Sequence, residues 1–167
     1  MIGRLQELGD WLDEANWPRV TCPVCERGSV GFNEAEHRLD RESEKIVDRT
    51  SRNEGPPDEL AGTFDGSLKC DSASCGQLLS MAGDWELLFD DYGDLGNLYK
   101  IRYVNPPLKL VHSPNGTPPS VNQAIKSASE VVWLSPSAAA NRLRHAVEEL
   151  LTALRVKKTT KLRSESV

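Results

Sequence analysis

The chain has 167 residues, of which 38% are apolar and 27% are charged, and its formal net charge is −5. This composition permits a core of modest size and excludes collagen-like, coiled-coil and wholly disordered chains. No run approaches the roughly 18–20 uninterrupted apolar residues that span a bilayer, and the charged, amphipathic N-terminus is unlike a secretory signal. We therefore expect a soluble, cytoplasmic protein with no membrane partner.

Charge is divided unevenly along the chain. Residues 1–100 carry 10 basic and 21 acidic side chains, whereas residues 101–167 carry 10 basic and 4 acidic ones. The acidic first part argues against broad contact with a phosphate backbone, while the basic stretch RVKKTTKLR suits nucleic acid or an acidic partner. The alternative for that stretch is a solvated helix end whose cations complement the helix dipole.

The first predicted element is an amphipathic helix over residues 3–15. Acidic residues separate a set of apolar residues at helical spacing, namely Leu5, Leu8, Leu12 and Ala15. Asn16 and Pro18 are typical of a helix end.

A cysteine-bearing turn follows and leads into a short strand that is predicted to end at Phe32. Residues 33–62 are rich in both charge signs, poor in aromatic residues and contain consecutive prolines. We predict that they form a charged excursion, part helix or hairpin and part mobile loop. Three or four aliphatic and aromatic runs then extend to residue 104 and predict a small antiparallel sheet.

The C-terminal part is predicted to be helical. Residues 105–119 contain five prolines, which favours an extended connector between sheet and helices. Ser120 and Ser135 are the predicted N-caps of helices over residues 121–132 and 136–156. These two helices would form a hairpin.

Two close pairs of cysteines carry the clearest chemical signal. Cys22 and Cys25 have the two-residue spacing of a zinc knuckle, and Cys70 and Cys75 have a wider, four-residue spacing that structural sites also use. In a reducing compartment such pairs are typical of metal ligands. Four thiolates around one Zn²⁺ leave no open position for catalysis. A redox dithiol at the first pair and an iron–sulfur site are the alternatives.

Histidine and tryptophan give weaker signals. His37, His112 and His145 are interpreted as surface residues, and none is predicted to join the metal site. The four tryptophans are interpreted as packing anchors, with stacking on nucleic-acid bases as the alternative.

Several motifs together resemble one known family. The segments TCPVC, LKCDSASCG, PPSV, VVWLSP and SAAANRLRHAVEELL are similar to the bacterial domain-of-unknown-function family 4145, in which a zinc ribbon precedes a HEPN-like helical region. The likeness covers nearly all of residues 20–156 and is most specific over residues 133–151. It implies a relationship to HEPN bundles, several of which are ribonucleases or partners of nucleotidyltransferases in toxin and phage-defence systems.

The resemblance stops short of a HEPN active site. The Arg-x4-6-His motif of HEPN nucleases lies on a later helix, so we expect a C-terminally short version of the helical region. Arg142 and His145 are too close in sequence to match that motif.

These observations predict an α+β fold in which a small antiparallel zinc-ribbon sheet with an N-terminal helix precedes a C-terminal helical hairpin. Residues 1–104 would form the ribbon module, residues 105–119 the connector and residues 120–167 the HEPN-like region. The expected function is that of a noncatalytic adaptor or regulatory interaction protein in a phage-defence or restriction setting.

The alternative function is a nucleic-acid-binding or ribonuclease-related HEPN-like subunit. Its candidate contacts are basic residues of the last helix and of the stretch that follows: Arg142, Arg144, Lys157, Lys158, Lys161 and Arg163.

An apolar stripe on the last helix predicts association. Two helices cannot bury a stripe this wide between them, so we expect it to contact the ribbon, another protein or a second copy of the chain, most simply in a homodimer. The alternative is that the ribbon and the first long helix cover the stripe within one chain, which would leave a monomer. The residues of this association face are Leu143, Val147, Leu150 and Leu154.

Overall fold

The computed structural model describes residues 2–52, 59–89 and 95–155. The elements in chain order are α1 (Ile2–Glu7), β1 (Val20–Thr21), β2 (Ser29–Leu39), α2 (Arg41–Ser51), β3 (Leu60–Cys70), β4 (Leu78–Phe89), β5 (Leu95–Asn105), α3 (Pro119–Val131) and α4 (Pro136–Ala153). The predicted α+β class is confirmed. Within the described ranges, no helix combines the length and the apolar character needed to cross a membrane.

The sheet is a curled antiparallel meander. Its strands follow the order β1-β2-β3-β4-β5. One bulge interrupts the pairing after Phe32 in β2, and another lies at Arg102 in β5, opposite Gly83 of β4. A Cβ atom on Gly83 would lie 2.0 Å from the carbonyl oxygen of Lys100, so only glycine permits the close approach of β4 and β5 there. Bulges and glycine together allow the sheet to bend strongly.

A single irregular segment, residues 12–21, contacts both edges of this sheet. The N–H and C=O of Leu12 bond to the C=O and N–H of Tyr99 on the outer edge of β5, at 2.9 and 2.8 Å. The same segment continues into β1, where Val20 pairs with Val30 of β2. Because both edges are then partly covered, less unpaired backbone is left for other chains.

The core lies on the concave face of the sheet, beneath the N-terminal segment. Alternate residues of the long strands supply it, as the two-residue period of a strand requires. Trp17 packs against Phe32 and Tyr99, with ring centroids 5.1 and 6.0 Å apart. The buried residues of this core include Leu8, Leu12, Trp17, Val30, Phe64, Leu68, Leu79, Met81, Trp85, Tyr99 and Ile101.

The C-terminal hairpin packs through small residues and stays attached to the sheet. Alanines of both helices are buried in or beside the contact between α3 and α4: Ala124, Ala128, Ala139 and Ala146. Leu108 of the connector belongs to the sheet core, and Trp133, between the helices, packs against that core. The connector is therefore part of the packed structure.

The predicted N-terminal helix was too long. α1 ends at Glu7, because Leu8 is buried in the sheet core and Leu12 gives its backbone hydrogen bonds to β5 instead of to a helix. Tertiary pairing outweighs helix spacing here.

The limits of the charged excursion also need correction. β2 continues past Phe32 to Leu39, and β3 begins at Leu60, so residues 33–39 and 60–62 belong to the sheet. Their charges lie on the outer face, where Arg38 pairs with Asp65 at 3.0 Å. Helix α2 confirms the helical part of the prediction, and residues 53–58 lie outside the described part.

Of the two predicted N-caps of the C-terminal helices, one is wrong and one is confirmed. The residue that precedes α3 is Pro118, so Ser120 lies inside the helix and is not its cap. Ser135 caps α4 as predicted, since its side chain accepts a hydrogen bond from the N–H of Ala138. The last helix was predicted to run to residue 156, but α4 ends at Ala153 with Leu154 as its C-cap.

Candidate metal centre

The two cysteine-bearing turns lie side by side at one end of the sheet. The first turn joins β1 to β2, and the second joins β3 to β4. Since β2 and β3 are neighbours and Val30 lies opposite Cys70, the turns meet. Their four sulfur atoms all lie within 4.8 Å of one another, and they belong to Cys22, Cys25, Cys70 and Cys75. The four predicted cysteines thus form one group that can hold a metal ion.

The first turn is preorganised to bind a thiolate. The N–H of Gly28 donates to the sulfur of Cys25 at 3.4 Å, and the N–H of Glu26 donates to the carbonyl of Cys22 at 3.0 Å. The backbone N–H groups of Gly28 and Arg27 lower the pKa of Cys25 to about 6. The thiolate is the form that binds metal, so this turn favours the binding state.

In the second cysteine pair the pKa values of both thiols are raised. The N–H of Ser72 favours the Cys70 thiolate, but burial and the thiols of Cys22, Cys25 and Cys75 raise the pKa of Cys70 to about 12. The sulfurs of Cys25 and Cys70 are 3.8 Å apart. Four thiols this close resist full ionisation, and a bound divalent cation would favour release of their protons.

Asp71 joins the two turns through hydrogen bonds. Its carboxylate accepts from the N–H of Ser29 at 2.8 Å, from the hydroxyl of Ser29 at 2.6 Å and from Arg19 at 3.1 Å. Ser29 begins β2, whereas Asp71 directly follows a cysteine of the second turn. The sequence shows Asp71 beside a cysteine, but its partner Ser29 is 42 residues away. The role of Asp71 in joining the two turns was therefore not predicted.

Gly28 is required where the turns touch. A Cβ atom there would lie 2.7 Å from the sulfur of Cys70 and 2.9 Å from an Asp71 carboxylate oxygen. No side chain fits in this position without displacing a sulfur. In the second turn, Gly76 has φ +57 and its N–H donates to the carbonyl of Ser72 at 2.9 Å, a conformation that glycine adopts without strain.

The candidate nucleic-acid contacts are only partly described. Arg142 and Arg144 are exposed on α4, but Arg142 donates to the carbonyl of Ser127 at 2.8 Å and so links the two helices. The Nδ1 atom of His145 lies 4.0 Å from a carboxylate oxygen of Glu148, and its Nε2 atom lies 3.9 Å from one of Glu149. The remaining candidates, Lys157, Lys158, Lys161 and Arg163, lie outside the described residues.

The predicted association face is open along most of its length. Val147, Leu150 and Leu154 are 55%, 38% and 65% exposed, and Leu151 beside them is 43% exposed. Leu143 is half-buried.

A second polar cluster, which sequence reasoning did not find, lies on the concave face of the sheet. The Tyr99 hydroxyl donates to Glu14 at 2.6 Å and is 2.9 Å from the ring nitrogen Nε2 of His37. His37 stacks on Trp85 at 4.7 Å. Burial, together with the Glu14 carboxylate, raises the pKa of Tyr99 above its usual value. These residues are distant in sequence, and only the curl of the sheet brings them together.

Comparison with known proteins identifies a family but no activity. No curated protein and no solved structure matches the chain. The model of the family described as "Domain of unknown function (DUF8608)" matches residues 10–105, a range that contains the sheet and all four cysteines. This family differs from family 4145, so the resemblance to family 4145 stays a prediction. Because this match covers more than half of the chain, the chain belongs to the DUF8608 family.

Proposed function

We propose that Cys22, Cys25, Cys70 and Cys75 hold one structural Zn²⁺ ion in a zinc ribbon. The observation that carries this proposal is the mutual distance of their sulfurs, all within 4.8 Å. Thiolate sulfur is a preferred ligand of Zn²⁺, and four of them form a closed tetrahedral site. Two hairpin turns that meet at a shared metal are the arrangement expected of a ribbon.

We further propose that the protein acts as a noncatalytic adaptor or regulatory interaction module. A four-thiolate site offers no position for a water molecule or a substrate, so its contribution is to folding free energy. The exposed apolar residues of α4 support an interaction role. The resemblance of the helical region to HEPN-like domains supports a phage-defence or restriction setting.

Metal analysis of the purified chain tests the zinc proposal. We expect one zinc per chain, and cobalt substitution should give the visible spectrum of tetrahedral Co²⁺–thiolate coordination. The double variant Cys70→Ser Cys75→Ser should lose the metal, because two thiolates alone cannot complete the site.

Other results would favour the competing chemistries. Iron and sulfide in stoichiometric amounts would identify a cluster, and a Cys22–Cys25 disulfide in protein purified under reducing conditions would identify a redox pair. The matched control for the double cysteine variant is Ser74→Ala. Ser74 is exposed in the second turn and lies outside the sulfur cluster, so this variant should keep the zinc.

The noncatalytic assignment is tested against the ribonuclease alternative. We expect no RNA cleavage by the zinc-loaded protein. Cleavage that is metal-independent and is abolished by His145→Ala would instead establish the HEPN-like enzyme. Binding of RNA or DNA with a steep salt dependence, without cleavage, would favour a nucleic-acid-binding subunit.

A further inference from the structure

The two cysteine-bearing turns are joined by hydrogen bonds that do not involve sulfur. The N–H of Asp71 donates to the carbonyl of Ser29 at 2.9 Å, and the N–H of Ser29 donates to one carboxylate oxygen of Asp71 at 2.8 Å. The Ser29 hydroxyl donates to the other carboxylate oxygen at 2.6 Å. These three bonds link the residue that follows Cys70 to the first residue of β2, the strand that leaves the first turn.

A third segment adds a charged partner to this link. Arg19, which directly precedes β1, donates to Asp71 at 3.1 Å. The side chain of Arg19 is 56% exposed and that of Asp71 is 43% exposed, so this ion pair contributes little to stability by itself. The bonds to Ser29 differ, because they involve a short side chain and backbone groups that lose little conformational freedom. Ser29 therefore supplies the larger share of the link.

Asp71 lies close enough to the sulfurs to influence the position of Cys70. The two residues are neighbours in the chain. A Cβ atom on Gly28 would contact both the Cys70 sulfur, at 2.7 Å, and an Asp71 carboxylate oxygen, at 2.9 Å. The sulfur and the carboxylate thus pack against the same point of the first turn. Separation of Asp71 from Ser29 would therefore move Cys70 away from the sulfurs of the first turn.

A metal that takes ligands from both turns binds more tightly when the turns are already adjacent. If the turns moved independently, part of the binding free energy would be used to order them. Groups that orient metal ligands without touching the metal change its affinity by about 10–100-fold when they are removed. Asp71 is placed to act in this way.

We propose that Asp71 is a positioning residue of the metal centre and that its bonds to Ser29 set the affinity for the metal. Asp71 acts through Cys70, because it holds the second turn against the first so that the four sulfurs converge. This inference rests on the proposed Zn²⁺ site and names a residue outside the sulfur set on which metal affinity depends.

Zinc affinity, measured by competition with a chromophoric chelator, tests the proposal. Asp71→Ala removes every bond of the side chain and should raise the zinc dissociation constant by about 10–100-fold. Asp71→Asn keeps an oxygen that accepts from the N–H of Ser29, so it should recover part of this loss. Both variants lack the charge, so equal losses of affinity would show that only the charge matters and would overturn the positioning role.

The matched control for the alanine variant is Asp65→Ala. Asp65 lies on the same strand as Cys70 but away from the turns, and it pairs with Arg38 at 3.0 Å. Asp65→Ala therefore removes an exposed ion pair of the same kind and should bind zinc like the wild type. An equal loss of affinity in Asp65→Ala and Asp71→Ala would contradict the proposal.

Ser29→Ala tests the link from its other side. This variant removes only the hydroxyl bond and should raise the zinc dissociation constant by about 3–10-fold. Far-UV circular dichroism verifies folding, and if Asp71→Ala does not fold, Asp71→Asn and Ser29→Ala decide the question. Wild-type affinity in every folded variant would overturn the role of Asp71 and leave the zinc site intact. A wild type that binds no zinc would overturn the zinc site and this inference with it.

Discussion

At Gly28 a single methyl group tests how closely the two turns fit. In Gly28→Ala the new Cβ would press on the sulfur of Cys70 and on Asp71. We expect weaker metal binding and a loss of about 1–3 kcal/mol in the unfolding free energy of the metal-loaded protein. Competition with a chromophoric chelator and thermal denaturation measure the two effects.

Gly96→Ala is the matched control for that substitution. Gly96 lies in β5, and a Cβ atom there would meet nothing within 4 Å. This variant should bind metal like the wild type. An equal loss of metal affinity in both variants would show that the turn contact at Gly28 is not responsible.

His37 makes the stability of the sheet depend on pH. Desolvation lowers the pKa of His37 below its usual value of 6.5, and Glu14 opposes the shift. The unfolded chain therefore binds the proton more readily, so this contribution to stability is present above about pH 6.5 and is lost as the pH falls below that value. In urea denaturation, acidification should lower the unfolding free energy of the wild type more than that of His37→Gln. Identical pH profiles would contradict this.

At the level of elements, the contact between α3 and α4 depends on the small size of its alanines. Ala124 is 8% exposed and packs in one cluster with Ala146 of α4, so Ala124→Leu forces the helices apart and should cost about 1–3 kcal/mol. Ala140→Leu, on the exposed side of α4, is the matched control, because leucine and alanine are both good helix formers. Thermal unfolding followed by far-UV circular dichroism compares them. Equal melting temperatures would show that the helices do not pack as described.

At the level of the whole molecule, the metal site lies at one end of a long sheet. Cys22 and Cys70 belong to the same core as Phe64 and Tyr99, which lie farther along the strands. Removal of the metal should therefore loosen the near end first. We expect chelation to speed amide hydrogen exchange about tenfold or more over residues 20–32 and 68–79, with a smaller effect over residues 60–66 and 97–101.

The Cys70→Ser Cys75→Ser variant provides the control for chelation. It should already show fast exchange near the turns and should not respond further to the chelator. Exchange that is unchanged by chelation in the wild type would contradict a structural role for the metal, whereas a uniform increase would show that the metal supports the entire fold.

The sequence by itself determined those features that depend on local spacing. The pairs at Cys22 and Cys70 were readable because a metal knuckle needs its ligands a few residues apart. The helices α3 and α4 were readable because their apolar residues recur at helical intervals and a proline is the first residue of each. The apolar face at Leu150 was recognised for the same reason.

Tertiary structure alone decided the features that depend on pairing between distant segments. Leu8 and Leu12 have helical spacing, but the gain from burial and from bonding to β5 outweighs their helix preference. The charges between residues 33 and 39 resemble a loop until the sheet assigns them to its outer face. His37 and Tyr99 meet, and Asp71 reaches Ser29, only because the sheet curls and its hairpins lie side by side. No local pattern encodes such contacts.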